Sequence, residues 1–269
     1  MRTLLPFALL LAAPLIAQKP QGLLFHATFE TSTAKVARGD GRIYSAPNYK
    51  QQGEAKPGLA AAANVALAPG QGRNGSGALL FKAKNENAVF YKAAGNMAFQ
   101  PKDWTGTISF FLKLDPDADL APGFCDPVQV TDKAYNDSAI WVDFTKDDRP
   151  RHFRLGVFGE LKAWNTSGQT TGVNPLFEQR LVVVKKPPFT RDAWTHVAIT
   201  HTALGSGKGA ATLYVNGEAV GAAPGIAESF AWDPAMAAIR LGVNYTGLMD
   251  DVMVFSRALT AAEVKALGR

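Results

Sequence analysis

GLMDDVMVFSRALTAAEVKAL, residues 247–267, alternates for nine residues and then turns into something else. In an extended chain Leu248, Asp250, Val252 and Val254 share one face, and Met249, Asp251, Met253 and Phe255 share the other. Ser256-Arg257 closes the strand. Thr260 stands three residues before Glu263, the spacing of a capping box, in which the hydroxyl and the carboxylate each satisfy an orphan backbone N–H. The reading is a half-buried strand followed by a short helix over residues 261–267, ended by Gly268.

Working outward, short apolar runs recur at regular spacing: residues 78–83, 88–92, 107–114, 128–131, 139–145, 153–158, 180–184 and 194–201. The run over 107–114 is too apolar to show either face to solvent and belongs mid-sheet. Lys185-Lys186-Pro187-Pro188 ends a strand by removing backbone donors. Asn216-Gly217 supplies the two positive-φ residues of a tight hairpin. Many short strands, Gly and Pro punctuation and one helix select an all-β sandwich. Residues 31–73 shift to Ala, Gly, Pro and Asn with weak periodicity, which predicts a long ordered excursion over the surface carrying one or two short strands.

Residues 247–267 also carry a resemblance, supported by WTHVAIT (194–200), ATLYVNGEAVG (211–221), LLFHATFE (23–30) and SGALLFKAKNENAVFY (76–91). Together they resemble the laminin-G-like, or concanavalin A-like, jelly-roll family. The matches cover most of the chain after about residue 22, residues 31–73 excepted. The resemblance implies a two-sheet antiparallel jelly-roll sandwich with a short C-terminal helix. It also implies that the first strand, residues 23–29, lies beside the last, so that Glu30 approaches Asp250 or Asp251. Lectins, hydrolases, lyases and adhesion modules share this fold, so function has to be argued from the site.

The 269 residues are 47% hydrophobic and 19% charged, with a net charge of +5. That suits one large all-β domain, and the dispersed Lys and Arg residues argue against nucleic acid as a partner. Residues 1–17 read as a signal peptide: Arg2, an apolar run over 4–16 that is short for a permanent span, and small Ala17. Residues 18–269 are then a single exported domain, with no later membrane span. Cys125 is the only cysteine, which rules out an internal disulfide and reads as a buried bystander.

Catalytic patterns are missing. No glutamate is followed two residues later by aspartate, the arrangement with which β-glucan-cleaving members of the resembled family set two carboxylates on one strand face. The Gln-x-His of its lyases fails at Gln129, and zinc, Walker and serine-elbow spacings are absent. A non-enzyme is expected, with no cofactor beyond a candidate structural calcium. Asp115-Pro-Asp-Ala-Asp fails as an EF-hand for want of its glycine and glutamate. Asp250 falls on an apolar face, so its carboxylate must be hydrogen-bonded, paired or metal-bound. Arg257, backbone N–H groups near Glu30, or a calcium shared by Glu30 and Asp250 would serve.

One hairpin sketches a binding face. If Ile140, Val142 and Phe144 point inward with Phe153, Leu155 and Val157, then Trp141, Asp143, His152 and Arg154 point outward. Keeping both apolar sets on one side puts Asp143 opposite Arg154 and Trp141 opposite Gly156. An exposed Trp ring beside a charged pair is a platform for sugar, or else an ion pair with a Trp covered by the 31–73 excursion. His196 reads as a structural histidine. The expectation is a secreted, non-catalytic module for carbohydrate or a cell-surface glycan. A divergent glycoside hydrolase or polysaccharide lyase and a structural or adhesive envelope module are the alternatives.

Overall fold

The computed structural model describes residues 20–269; the predicted signal peptide lies outside them. In chain order the strands are Leu23–Ala27 (β1), Lys35–Val36 (β2), Tyr44–Ala46 (β3), Lys56–Pro57 (β4), Val65–Ala68 (β5), Ala78–Phe81 (β6), Ala88–Lys92 (β7) and Trp104–Lys113 (β8). Then come Cys125–Thr131 (β9), Ala139–Phe144 (β10), Phe153–Phe158 (β11), Leu181–Val184 (β12), Thr195–Leu204 (β13), Gly209–Val215 (β14), Glu218–Ile226 (β15), Ala238–Val243 (β16) and Gly247–Phe255 (β17). A C-terminal helix, Ala261–Leu267, follows.

These strands form two antiparallel sheets. A nine-stranded sheet runs β15-β14-β13-β8-β17-β1-β2, with β6 joined to β17 and β5 to β6. An eight-stranded sheet runs β12-β11-β10-β9-β16-β7-β3-β4. The apolar faces meet: Phe25, Ile108, Phe110, Val197 and Val254 of the first pack in one core with Val130, Ile140, Val142, Leu155 and Ile239 of the second. Each such large side chain withdrawn from water contributes about 1.5–3 kcal/mol, which is why strand register here is set by alternation. The expected jelly-roll sandwich is the fold, and β8 lies mid-sheet between β13 and β17 as its apolar run required.

The excursion over residues 31–73 is more than a surface loop. It crosses between the layers, adding β2 and β5 to one sheet and β3 and β4 to the other. Weak alternation hid these strands because each is only 2–4 residues long.

The first and last strands pair, with His26 opposite Met253 and Ala27 opposite Val252. The alternation of β17 needs one correction. Asp250 pairs with Phe111 of β8 but Met253 pairs with Ser109, so β17 holds an extra residue, and Asp251 takes φ 49°. This bulge restarts the period, and Met249 joins Val252 and Val254 in the inter-sheet core. Asp250 is buried at 1% exposure, away from those valines. Its carboxylate accepts from the backbone N–H of Arg73 (2.8 Å) and of Asp251 (2.7 Å) and from the Ser76 hydroxyl (3.2 Å). Glu30 accepts from the Gly77 N–H at 2.9 Å. The candidate calcium pair therefore reaches the same turn, residues 73–77, one from β17 and the other from the segment that follows β1. Among the described residues no group of three or more His, Cys, Asp or Glu side chains is placed to hold a metal. Arg257 pairs with Glu263, the capping-box glutamate, at 2.8 Å.

Asp251 is the hub of this seam. It takes His26 Nε2 at 2.7 Å and Arg73 Nη1 at 3.1 Å, while the Arg73 guanidinium lies 3.6 Å from the centre of the Phe111 ring. Arg73→Ala is expected to destabilise the fold by about 1–3 kcal/mol, since it strips a partly buried carboxylate of its cation and uncovers Phe111. Urea unfolding with an unchanged midpoint would show that the seam does not depend on Arg73.

Candidate functional site

The outer face of the eight-stranded sheet carries the polar side chains that the core rejects. Across β10 and β11 Trp141 pairs with Gly156 and Asp143 with Arg154, the register that alternation required. Arg154 donates Nε to Asp143 Oδ1 at 2.8 Å and Nη2 to Oδ2 at 2.5 Å, a bidentate charge-assisted pair that is almost wholly shielded from solvent.

A second acidic group joins them through a second bulge. Val142 pairs with Val128 but Phe144 pairs with Cys125, so Asp126 and Pro127 of β9 face Asp143 alone. Pro127 has no N–H to lose to the ladder and suits the irregular position. The bulge turns Asp126 to the outer face although Cys125 and Val128 both enter the core. Gln129 Nε2 donates to Asp126 Oδ2 at 2.7 Å. Gln129 is oriented in turn by Arg240 Nη1 (2.9 Å), whose Nε donates to Gln52 at 3.2 Å. The strand assigned from sequence began at Val128 and so missed Asp126; the Asp-Pro pair was the available signal.

Asp126, Asp143 and Arg154 form the floor of a cavity of about 230 Å³, walled by Trp141, Phe177 and Glu178, with Phe124 and Tyr135 at its rim. Trp141 is not the exposed platform expected: it is 2% exposed. Its indole N–H donates to the Tyr135 carbonyl at 2.5 Å, and Phe177 and Phe158 lie near-parallel to it at 6.3 and 6.1 Å. The cover comes from residues 135–180, not from the 31–73 excursion. Gly156 makes room beneath it, since a Cβ there would stand 2.2 Å from the indole. His152 is not part of the cavity lining; its Nδ1 lies 3.4 Å from the Asp148 carboxylate at the hairpin tip.

The exposed rings are Phe124 (44%) and Tyr135 (41%). Phe124 is set by Arg151, which lies in the turn between β10 and β11. Arg151 is 1% exposed and donates to the carbonyls of Leu120, Ala121, Gly123 and Thr145 at 2.8–3.1 Å. A buried guanidinium spent on four backbone acceptors fixes the loop that presents Phe124, whose ring centre is 5.0 Å from the Arg154 guanidinium. Tyr135 is tied by its hydroxyl to Thr171 at 2.6 Å. His196, on the other sheet, is buried against Ser109 at 2.9 Å, which fits the structural reading.

Burial, and then the adjacent Asp143 charge, push the Asp126 carboxyl up to about 8. Burial raises Asp143 as well, against the pull of Arg154. The guanidinium favours the charge on Asp143, so the proton held by the pair resides on Asp126.

Residues 105–265 match the model of the concanavalin A-like lectin/glucanases superfamily. The chain belongs to this superfamily. No curated protein matches it. Solved structures similar to this concanavalin A-like chain include domain 4 of AbnA, an extracellular arabinanase from Geobacillus stearothermophilus, in complex with arabinotriose. That likeness has 16% identity and a TM-score of 0.55, over 93% of this chain and all of that one. The binding domain of botulinum neurotoxin DC, in complex with SialylT, is 10% identical with a TM-score of 0.56, over 92% of this chain and 51% of the other. Trypanosoma rangeli sialidase is 13% identical with a TM-score of 0.53, and only 33% of its chain is spanned. At these identities the likeness is one of fold. No described helix is long and apolar enough to cross a membrane.

The raised Asp126 pKa has a consequence for stability. The folded form holds a proton that the unfolded chain, with a carboxyl near 4, has released, so stability falls as pH climbs from about 4 through about 8. His196 and His201, pushed by burial to about 4 and about 3, act oppositely, but only below the ordinary histidine value of 6.5. Between pH 8 and 6.5 the Asp126 effect is the larger, and lowering the pH is expected to raise Tm by about 2–4 °C. Asp126→Asn should flatten that slope; calorimetry showing the same slope in the variant would reject the assignment.

Proposed function

We propose that this domain is an exported, non-catalytic module that binds a glycan in the cavity over β9, β10 and β11. The observation carrying the reading is the pair of exposed rings, Phe124 and Tyr135, standing over a floor of fixed polar groups. Aromatic faces take the apolar face of a sugar ring, and ordered carboxyl and guanidinium groups take its hydroxyls. A volume of about 230 Å³ is below the usual range of about 300–1,000 Å³ for drug-sized ligands, and suits one sugar unit of a longer chain. The arabinotriose and SialylT complexes of the arabinanase and neurotoxin domains support the ligand class. Export rests on the leader pattern of residues 1–17.

One observation favours a second reading, a divergent glycoside hydrolase: two carboxyls, Asp126 and Asp143, share the cavity with their proton on one of them. Against it, both Asp143 oxygens are held by Arg154, so Asp143 is not free to act as base or nucleophile beside the acid. Reducing-sugar release from neutral oligosaccharides, lost in Asp126→Asn, would favour the hydrolase.

For the binding reading, a glycan array containing arabinotriose and lactose is expected to register binding by the full chain. Phe124→Ala should weaken it at least about tenfold, or 1.4 kcal/mol, with circular dichroism unchanged. Gly156→Ala should weaken it too, by displacing Trp141. Retention that neither change alters would dismiss this cavity as the site.

A further inference from the structure

The cavity has an unbalanced charge inventory. Three carboxyl groups line it, Asp126, Asp143 and Glu178, against one guanidinium, Arg154. Arg154 is already neutralised: Nε and Nη2 are both spent on Asp143, and the pair's side chains are only 11% and 5% exposed. A ligand carboxylate or sulfate would find only Nη1 of that guanidinium free, with its charge already balanced by Asp143, and a fuller claim on Arg154 would leave Asp143 buried without a cation. Even with Asp126 protonated, Asp143 and Glu178 outnumber the guanidinium. Another cation, Lys146, stands outside the lining, 5.8 Å from the centre of the Phe124 ring, and is paired with Asp147 at 3.3 Å. Arg240 lies behind Gln129 and is engaged by Gln52, Gln129 and the Lys133 carbonyl.

Sugar hydroxyls fit the same inventory without conflict. The protonated Asp126 carboxyl donates to a hydroxyl, and the Glu178 carboxylate accepts from one. The remaining Nη1 of Arg154 donates to one without leaving Asp143. Thr171, whose hydroxyl is bonded to Tyr135 at 2.6 Å, also lines the cavity.

We propose that the cavity selects an uncharged sugar unit and excludes units bearing a carboxylate or a sulfate. The proposal rests on the glycan-binding reading and adds to it a chemical class. Its test is titration calorimetry of the full chain with matched pairs: lactose against sialyllactose, and galactotriose against trigalacturonate. A glycan array carrying neutral and sulfated counterparts completes the set. The neutral member is expected to bind at least about tenfold tighter in each pair. Glu178→Gln should narrow that ratio, because it removes a negative group from the lining. Acidic members bound as tightly as neutral ones, with binding sensitive to Phe124→Ala, would overturn the selectivity and leave the glycan site standing. Binding of no member, or binding indifferent to Phe124→Ala, would remove the glycan reading and the selectivity together.

Discussion

Antiparallel pairing of β1 with β17 brings the two ends of the described chain into one sheet, and the other features of this domain depend on that closure. With β17 clasped between β8 and β1, the nine-stranded sheet presents an unbroken apolar face for its partner sheet to cover. Alternation alone would leave the acidic pair of β17 split across the two faces. The bulge at Asp250-Asp251 resolves this by keeping both carboxylates off the core and turning them into fasteners for His26, Arg73 and the turn that follows. Closure and polar satisfaction are thus one event, in which the sheet seals where the carboxylates find their donors.

The same device appears in the other layer and has the opposite use. The bulge of β9 at Asp126-Pro127 also rotates a carboxyl to the outer face, but there it meets a second carboxyl with too few cations. In the seam Asp251 receives both a histidine and an arginine, and its pKa is lowered by them against its burial. In the cavity Arg154 serves Asp143, and Asp126 keeps its proton. One backbone irregularity thus yields a structural clasp in one sheet and a chemically open group in the other. The difference is the number of cations within reach.

Reach is also what the long excursion supplies. Residues 31–73 place Gln52 against Arg240, which orients Gln129 toward Asp126, so a segment with hardly any periodicity braces the floor of a cavity built by other strands. Arg151 does the same for the rim: a charged residue in a turn-like stretch is drawn inside because four carbonyls of neighbouring loops converge on it.

By itself the sequence determined what depends on spacing along one strand or one turn. The sandwich, the mid-sheet place of β8, the capped helix at Thr260 and Glu263, the Asn216-Gly217 hairpin and the opposition of Asp143 to Arg154 all follow from period two or from local hydrogen bonds. Tertiary structure alone decided where that period breaks and what covers each face. It moved Met249 into the core, turned Asp126 into the cavity, buried Trp141 under Phe177, left His152 outside and raised Phe124 to the rim. The physical reason is that a bulge, a lid and a buried guanidinium are each settled by partners distant in sequence, whose approach no local pattern encodes.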